Sequence, residues 1–157
     1  MEIKMKAIMI SIQPQWVSKI LNKEKLVEIR KTKPKCELPC KVYIYCTMPN
    51  KQENRKPHSW EVVWLKRVVA EFTLNKIYTL ERDLNDWLPK NRYDVSNELL
   101  KNVNLNQEQL WNYGQGKILY AWHIDNLKIY DKPKELSEFN VKRAIQSWCY
   151  VEELEDE

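Results

Sequence analysis

Only two glycines occur in this chain, Gly114 and Gly116, close together in the second half. A P-loop or a dinucleotide-binding turn needs several glycines at set spacings so that backbone can approach a phosphate. Neither motif can be written here. No apolar run approaches the roughly 18 residues that a membrane-spanning helix requires, so no membrane partner is expected. Residues 7–12 are too short for the apolar core of a secretory leader and alternate like a strand, which makes a cytoplasmic protein the expectation. Cysteine is present four times, as Cys36, Cys40, Cys46 and Cys149. Without a secretory signal, disulfides are disfavoured. Cys36 and Cys40 have the loose spacing of half a zinc site, but a second half is missing and Cys46 falls inside a strand-like run. The four read as free thiols in loop and core, with no metal and no cofactor expected.

What is present suits one small α+β domain spanning residues 1–157. That length can bury a real core, and 43% hydrophobic with 11% aromatic residues argues against disorder. Alternation predicts strands over 4–12, 26–32 and 41–47, in the β-rich stretch 60–78, over 118–130, and over 147–151. Pro14, with Trp16, Val17, Ile20 and Leu21 at helical spacing, predicts two helical turns over 14–21. A helical insertion in two pieces is expected at about 94–113, with the second piece capped near Leu105 and Asn106. Residues 48–59 read as an exposed loop, 141–145 as a short turn or helix, and 151–157 as an acidic, solvated tail.

The net charge of +4 conceals an asymmetry. Five acids lie in 151–157; with those set aside, 26 Lys and Arg face 17 Asp and Glu, a net of +9. Residues 19–35 alone hold seven cations against two acids. Such a balance suits a phosphate-bearing partner, though a Lys-rich solvated surface has the same composition.

Within that cluster, Lys25 falls at the turn after the first helix, and Glu28 and Arg30 share one face of the next strand, opposite Val27 and Ile29. A Lys, a carboxylate and an Arg gathered in so short a span can grip a polar, anionic ligand. Truncating Glu28 or Arg30 is expected to leave the core intact. The bland alternative is a surface ion cluster worth about 0–1 kcal/mol.

The K-x-x-E-x-R pattern of Lys25, Glu28 and Arg30, following a Trp-bearing helix, resembles the ASCH domain of the PUA-like superfamily, in its bacterial and phage form. The likeness extends to residues 5–47, to VVAEFTLNKI at 68–77, to YAWHIDNLKIYDKPKELSEF at 120–139 and to QSWCYVE at 146–152, in the same order and over about half the chain. The resemblance implies a small PUA-like β-barrel with short flanking helices. It also implies a module that binds RNA or a nucleotide-like ligand in a basic, aromatic-lined cleft. On that reading the ligand-binding residues are Lys25, Glu28, Arg30, Trp16, His123, Ser147 and Trp148. Trp16 and Trp148 lie in matching segments and suit base stacking. His123 has the strand parity of Ala121 and Asp125, opposite Trp122, and is placed toward the cleft. Ser147 is placed there because the family's closing strand borders it. For each of these the ordinary alternative is core packing or a plain surface role.

One branch of the family contains an amidohydrolase of acetylated cytidine, with a turn resembling G-x-K-x-x-T-x-R. Here Lys25 and Arg30 match, Glu28 stands at the Thr, and Lys23 stands at the Gly. A carboxylate cannot replace a hydroxyl nucleophile, but Glu28 can serve as a general base with Lys25 stabilising an oxyanion. A hydrolase of a modified nucleoside or of RNA is therefore the alternative, with Lys25 and Glu28 as its catalytic candidates. A phage-type protein-binding or counter-defence factor is the third reading.

Overall fold

The computed structural model describes residues 5–49 and 58–155. Most of the expected 48–59 loop lies outside them. Among the described residues the chain forms eight strands and three α-helices, the α+β class expected from the pattern.

Strand β1 (Lys6–Ile12) is apolar on both faces because it lies inside a sheet covered on both sides. It runs parallel to β3 (Cys40–Cys46) and antiparallel to β8 (Trp148–Glu152), while β4 (Arg67–Leu74) and β7 (Asp125–Lys134) extend the sheet beyond β3. The order is β7-β4-β3-β1-β8. A second sheet has the order β2-β6-β5, from Val27–Arg30, Leu119–His123 and Ile77–Leu80. The barrel that the resemblance implied is thus two sheets without closure among the described residues. Strand β2 is only four residues long and pairs with β6 alone; its other side is taken by helix α2 (Asn97–Val103), with the Leu26 amide donating to the Asn102 carbonyl.

Helix α1 (Pro14–Leu21) has the predicted bounds and buries Pro14, Val17 and Ile20. Val17 and Ile20 join Ile8, Ile10, Val42, Ile44 and Phe72 of the large sheet and Trp122 of the small one in one core. The far face of the large sheet is covered around Tyr43 and Phe139. Its helical turn falls at Leu136–Phe139, upstream of the expected 141–145. A third cluster joins β2 and β6 to α2 and to α3 (Gln107–Gly114) through Val27, Ile29, Tyr93, Val103 and Leu110. The expected strand 118–130 is divided, β6 serving the small sheet and β7 the large one, with Asn126 left-handed at φ 51°. The acidic tail starts inside the fold: Val151 pairs with Ala7 and Glu152 with Lys6. Among the described residues no helix is long and apolar enough to cross a membrane.

The scarce glycines lie at the turn from α3 into β6. Gly114 is buried at the end of α3, where a Cβ would run into the Tyr93 hydroxyl. That hydroxyl donates to the Lys117 carbonyl at 2.6 Å, so it cannot simply turn away.

Candidate functional site

The end of α1 folds back sharply, with Lys23 left-handed at φ 61° and the Glu24 and Lys25 amides both donating to the Lys19 carbonyl. A non-glycine residue in that region costs about 1–2 kcal/mol, so the tight turn is kept even though Lys stands where Gly is easiest. The reversal aims Lys25 inward, where it is 2% exposed. Its Nζ donates to the Val103 carbonyl at 2.6 Å, lies 3.5 Å from Glu28 Oε1, and sits 5.0 Å from the Trp16 ring centre. Val103 closes α2, so the ammonium meets the negative end of a helix.

On β2, Val27 and Ile29 enter the α2–α3 core, and Glu28 and Arg30 take the opposite face as the alternation predicted. Glu28 Oε1 accepts from the Ile29 amide at 3.1 Å, and Oε2 accepts from Arg30 Nη2 at 3.3 Å. Arg30 Nη2 also donates to the Ser11 carbonyl at 2.6 Å, and its Nη1 reaches the Ser147 carbonyl at 3.5 Å. Burial pushes the Glu28 carboxyl up, but the charges of Lys25 and Arg30 and the two hydrogen bonds outweigh it and hold the group below 4.5. Burial lowers Lys25 below 10.5, and Glu28 only partly reverses this.

The three charges are therefore a buried network, not a solvated cluster. The expectation that Glu28 can be truncated without consequence for the core does not hold, because Glu28 is 7% exposed and its removal strands Lys25.

Above this network opens a cavity of about 600 Å³. Trp16, Lys25, Glu28 and Arg30 line it, together with Gln13 and Gln15 of the α1 entry and Gln109, Asn112 and Tyr113 of α3. Its size lies in the range usual for small-molecule sites. Aromatic rings, side-chain amides, one carboxylate and one guanidinium converge there, a set that can stack a planar group and satisfy its polar edge.

The other expected residues lie apart from that lining. Ser147, left-handed at φ 59°, reaches the site only through its carbonyl, which accepts from the Ser11 amide, the Ser11 hydroxyl and Arg30. Trp148 packs edge-on against Trp122 and Tyr150 and donates its indole N–H to the Thr32 hydroxyl. His123 pairs with Val27 and meets Tyr78 edge-to-face at 4.8 Å, away from the cavity; burial lowers its pKa and favours the neutral ring. Trp122 is fully buried.

Gln109, Asn112 and Tyr113 were missed. With Leu105 they fall at helical spacing on one face of the insertion. That signal was readable, but a face that lines a cavity and a face that meets a core have the same period.

Cys36 and Cys40 stand with their sulfurs 3.2 Å apart. Cys46 is in the core, where burial pushes its thiol up to about 12. Among the described residues no group of three or more His, Cys, Asp or Glu side chains is gathered to hold a metal.

ASCH from Zymomonas mobilis superposes on this chain with a TM-score of 0.61 at 19% identity, over 92% of this chain and 86% of that one. This chain has the ASCH fold. A Tyr→Phe and a Ser→Ala mutant of the same Zymomonas protein each superpose at 0.58, again at 19% identity and over 92% of this chain, with 88% and 87% of theirs. No family model and no curated protein matches the sequence. The ASCH fold accounts for the architecture; what fills the cavity rests on the residues themselves.

Proposed function

We propose that the chain is a single ASCH domain that binds RNA, or a nucleotide-like ligand, in the cavity lined by Trp16, Glu28, Arg30 and Tyr113. The observation that carries this reading is the Glu28–Arg30 pair lining a cavity that Trp16 and Tyr113 also line. A stacked base supplies the flat apolar faces, an exocyclic amine suits the carboxylate, and a phosphate or carbonyl suits the guanidinium. Lys25 is a positioning residue in this scheme. Its ammonium is committed to Val103, Glu28 and the Trp16 face, and so holds the helical insertion against the site.

Binding is favoured over hydrolysis by the state of Glu28. A general base works best with a pKa near the working pH, whereas Glu28 is held low and already accepts from Arg30 and the Ile29 amide.

The test is calorimetric titration of the four nucleoside monophosphates and a short single-stranded RNA, with acetylated cytidine assayed for hydrolysis alongside. Saturable binding that weakens in Arg30→Ala and Trp16→Ala supports the proposal. Turnover of acetylated cytidine that Glu28→Gln lowers about 10²–10⁴-fold would replace it with the hydrolase reading. Absence of binding to every nucleotide and RNA, with a single protein recovered by pull-down, would replace it with the protein-partner reading.

A further inference from the structure

Beyond Arg30 the chain leaves β2 and runs through Lys31, Thr32, Lys33, Pro34 and Lys35, a stretch with four cations counting Arg30 and no acid up to Cys36. It crosses an aromatic surface. Lys31 Nζ lies 4.8 Å from the Tyr113 ring centre, and Lys33 Nζ lies 5.5 Å from that of Tyr120. The Lys35 amide donates to the Tyr150 hydroxyl at 2.8 Å, and Lys6 Nζ sits 4.0 Å over the Tyr150 ring. Thr32 binds both Trp122 and Trp148 through their indole N–H groups, which anchors the stretch from beneath. Lys31, Lys33 and Lys35 are exposed, and among the described residues none has an acidic side-chain partner. Tyr113 is shared: it meets Lys31 and also lines the cavity.

Alternate residues of a chain stand at most about 7 Å apart, a step comparable to one nucleotide of an extended strand. Cations on alternate residues, beside the exposed rings of Tyr113 and Tyr150 and the half-buried ring of Tyr120, form the kind of surface that tracks a single-stranded backbone. We infer that Lys31, Lys33 and Lys35, with Tyr113, Tyr120 and Tyr150, form a track for the flanking nucleotides of a single-stranded RNA whose one base occupies the cavity. The inference rests on the proposed binding role of the cavity and extends it from a nucleotide to a polymer.

The experiment compares a ten-nucleotide single-stranded oligoribonucleotide, a duplex of equal length, and the four nucleoside monophosphates. Each is titrated across a salt series into wild type, Lys31→Gln/Lys33→Gln/Lys35→Gln, and Arg30→Ala. The expected result is that the triple variant loses about tenfold or more in oligonucleotide affinity. Its slope of log K against log salt should be shallower by about 2, since each phosphate that a lysine no longer neutralises takes roughly 0.7 from the slope. Its monophosphate affinity stays unchanged. Equal loss for monophosphate and oligonucleotide, no loss for either, or a duplex bound as tightly as the single strand would overturn the track. Failure of the cavity reading looks different: wild type binds no monophosphate and Arg30→Ala changes nothing, while the triple variant still weakens the oligonucleotide.

Discussion

Lys25 and Lys41 each hold carboxylates, and they respond in opposite ways. Lys41 meets Glu71 at 3.0 Å and Glu153 at 3.1 Å, and its side chain is 19% exposed. Burial alone would lower it, but the hydrogen bonds to both acids prevail and hold it above 10.5. Lys25 has a single carboxylate, shares it with Arg30, and is 1% exposed at the side chain, so burial prevails and holds it below 10.5. The Lys41 cluster ties the residue just past β8, Glu153, to β3 and β4, a staple whose water-facing side relieves any mismatch. The Lys25 cluster has a cavity over it and little other solvent, so each charge depends on the others. Two similar sets of residues thus form a seam in one case and the floor of a cavity in the other, and access to solvent separates them.

The largest difference should appear on removing one carboxylate. Glu28→Gln leaves Lys25 and Arg30 uncompensated and is expected to cost about 3–5 kcal/mol in urea unfolding. Lys25→Met combined with Glu28→Leu should recover most of that loss; if the double variant is no better than the single one, the cluster is not a mutually dependent network. Next, Gly114→Ala drives a methyl group into the Tyr93 hydroxyl beside the cavity wall and is expected to destabilise by about 1–3 kcal/mol. A melting temperature equal to wild type would show that the wall yields.

Binding sharpens the contrast from the other side. Arg30→Ala is expected to lose about 1–3 kcal/mol in affinity for a nucleoside monophosphate if its fork meets a base edge. Lys41→Met should lose none, and isothermal titration separates the two.

The pH profiles should diverge as well. Glu28 titrates lower in the folded chain than when unfolded, so its contribution is full above 4.5 and fades as pH falls through the folded value. The stability gap between wild type and Glu28→Gln should therefore shrink below pH 4.5. Lys25 is lowered, so the unfolded chain binds more protons between its folded value and 10.5, and stability rises with pH across that window. Lys41 is raised, so its contribution is full below 10.5 and fades above it. Urea series from neutral to strongly alkaline pH should lose the rise in Lys25→Met and lose the later fall in Lys41→Met. The smallest effect belongs to Glu71→Gln, about 1 kcal/mol or less, because Lys41 keeps Glu153 and water; a loss as large as that of Glu28→Gln would erase the distinction.

Much of the local structure was legible. Pro14 and the spacing of Val17 and Ile20 predicted α1 to the residue. Asn106 caps α3 with the Asn106–Gln109 reciprocal bonds that its position suggested. Alternation placed Glu28 and Arg30 opposite Val27 and Ile29. Neither the parity of His123 nor the matching segment of Trp148 located these side chains, because each names a face or a stretch of a strand and not what stands above it. His123 has Tyr78 above it, and Trp148 has Trp122 and Tyr150.

From residue order alone came the α+β class, the ASCH resemblance, the charge-bearing turn and the basic run that follows it. These depend on neighbours within a few positions, where helix and strand periods and proline geometry act directly. The burial of the site came only with tertiary structure. Lys25 meets the Val103 carbonyl across 78 positions, Lys19 meets Asn104 across 85, and Arg30 meets the Ser147 carbonyl across 117. Each contact exists because α2 and α3 cover β2 and because β8 pairs with β1. A sequence pattern sets which face of an element is apolar; the docking of distant elements sets how much water a charge keeps, and so whether Lys, Glu and Arg form a surface cluster or the floor of a cavity.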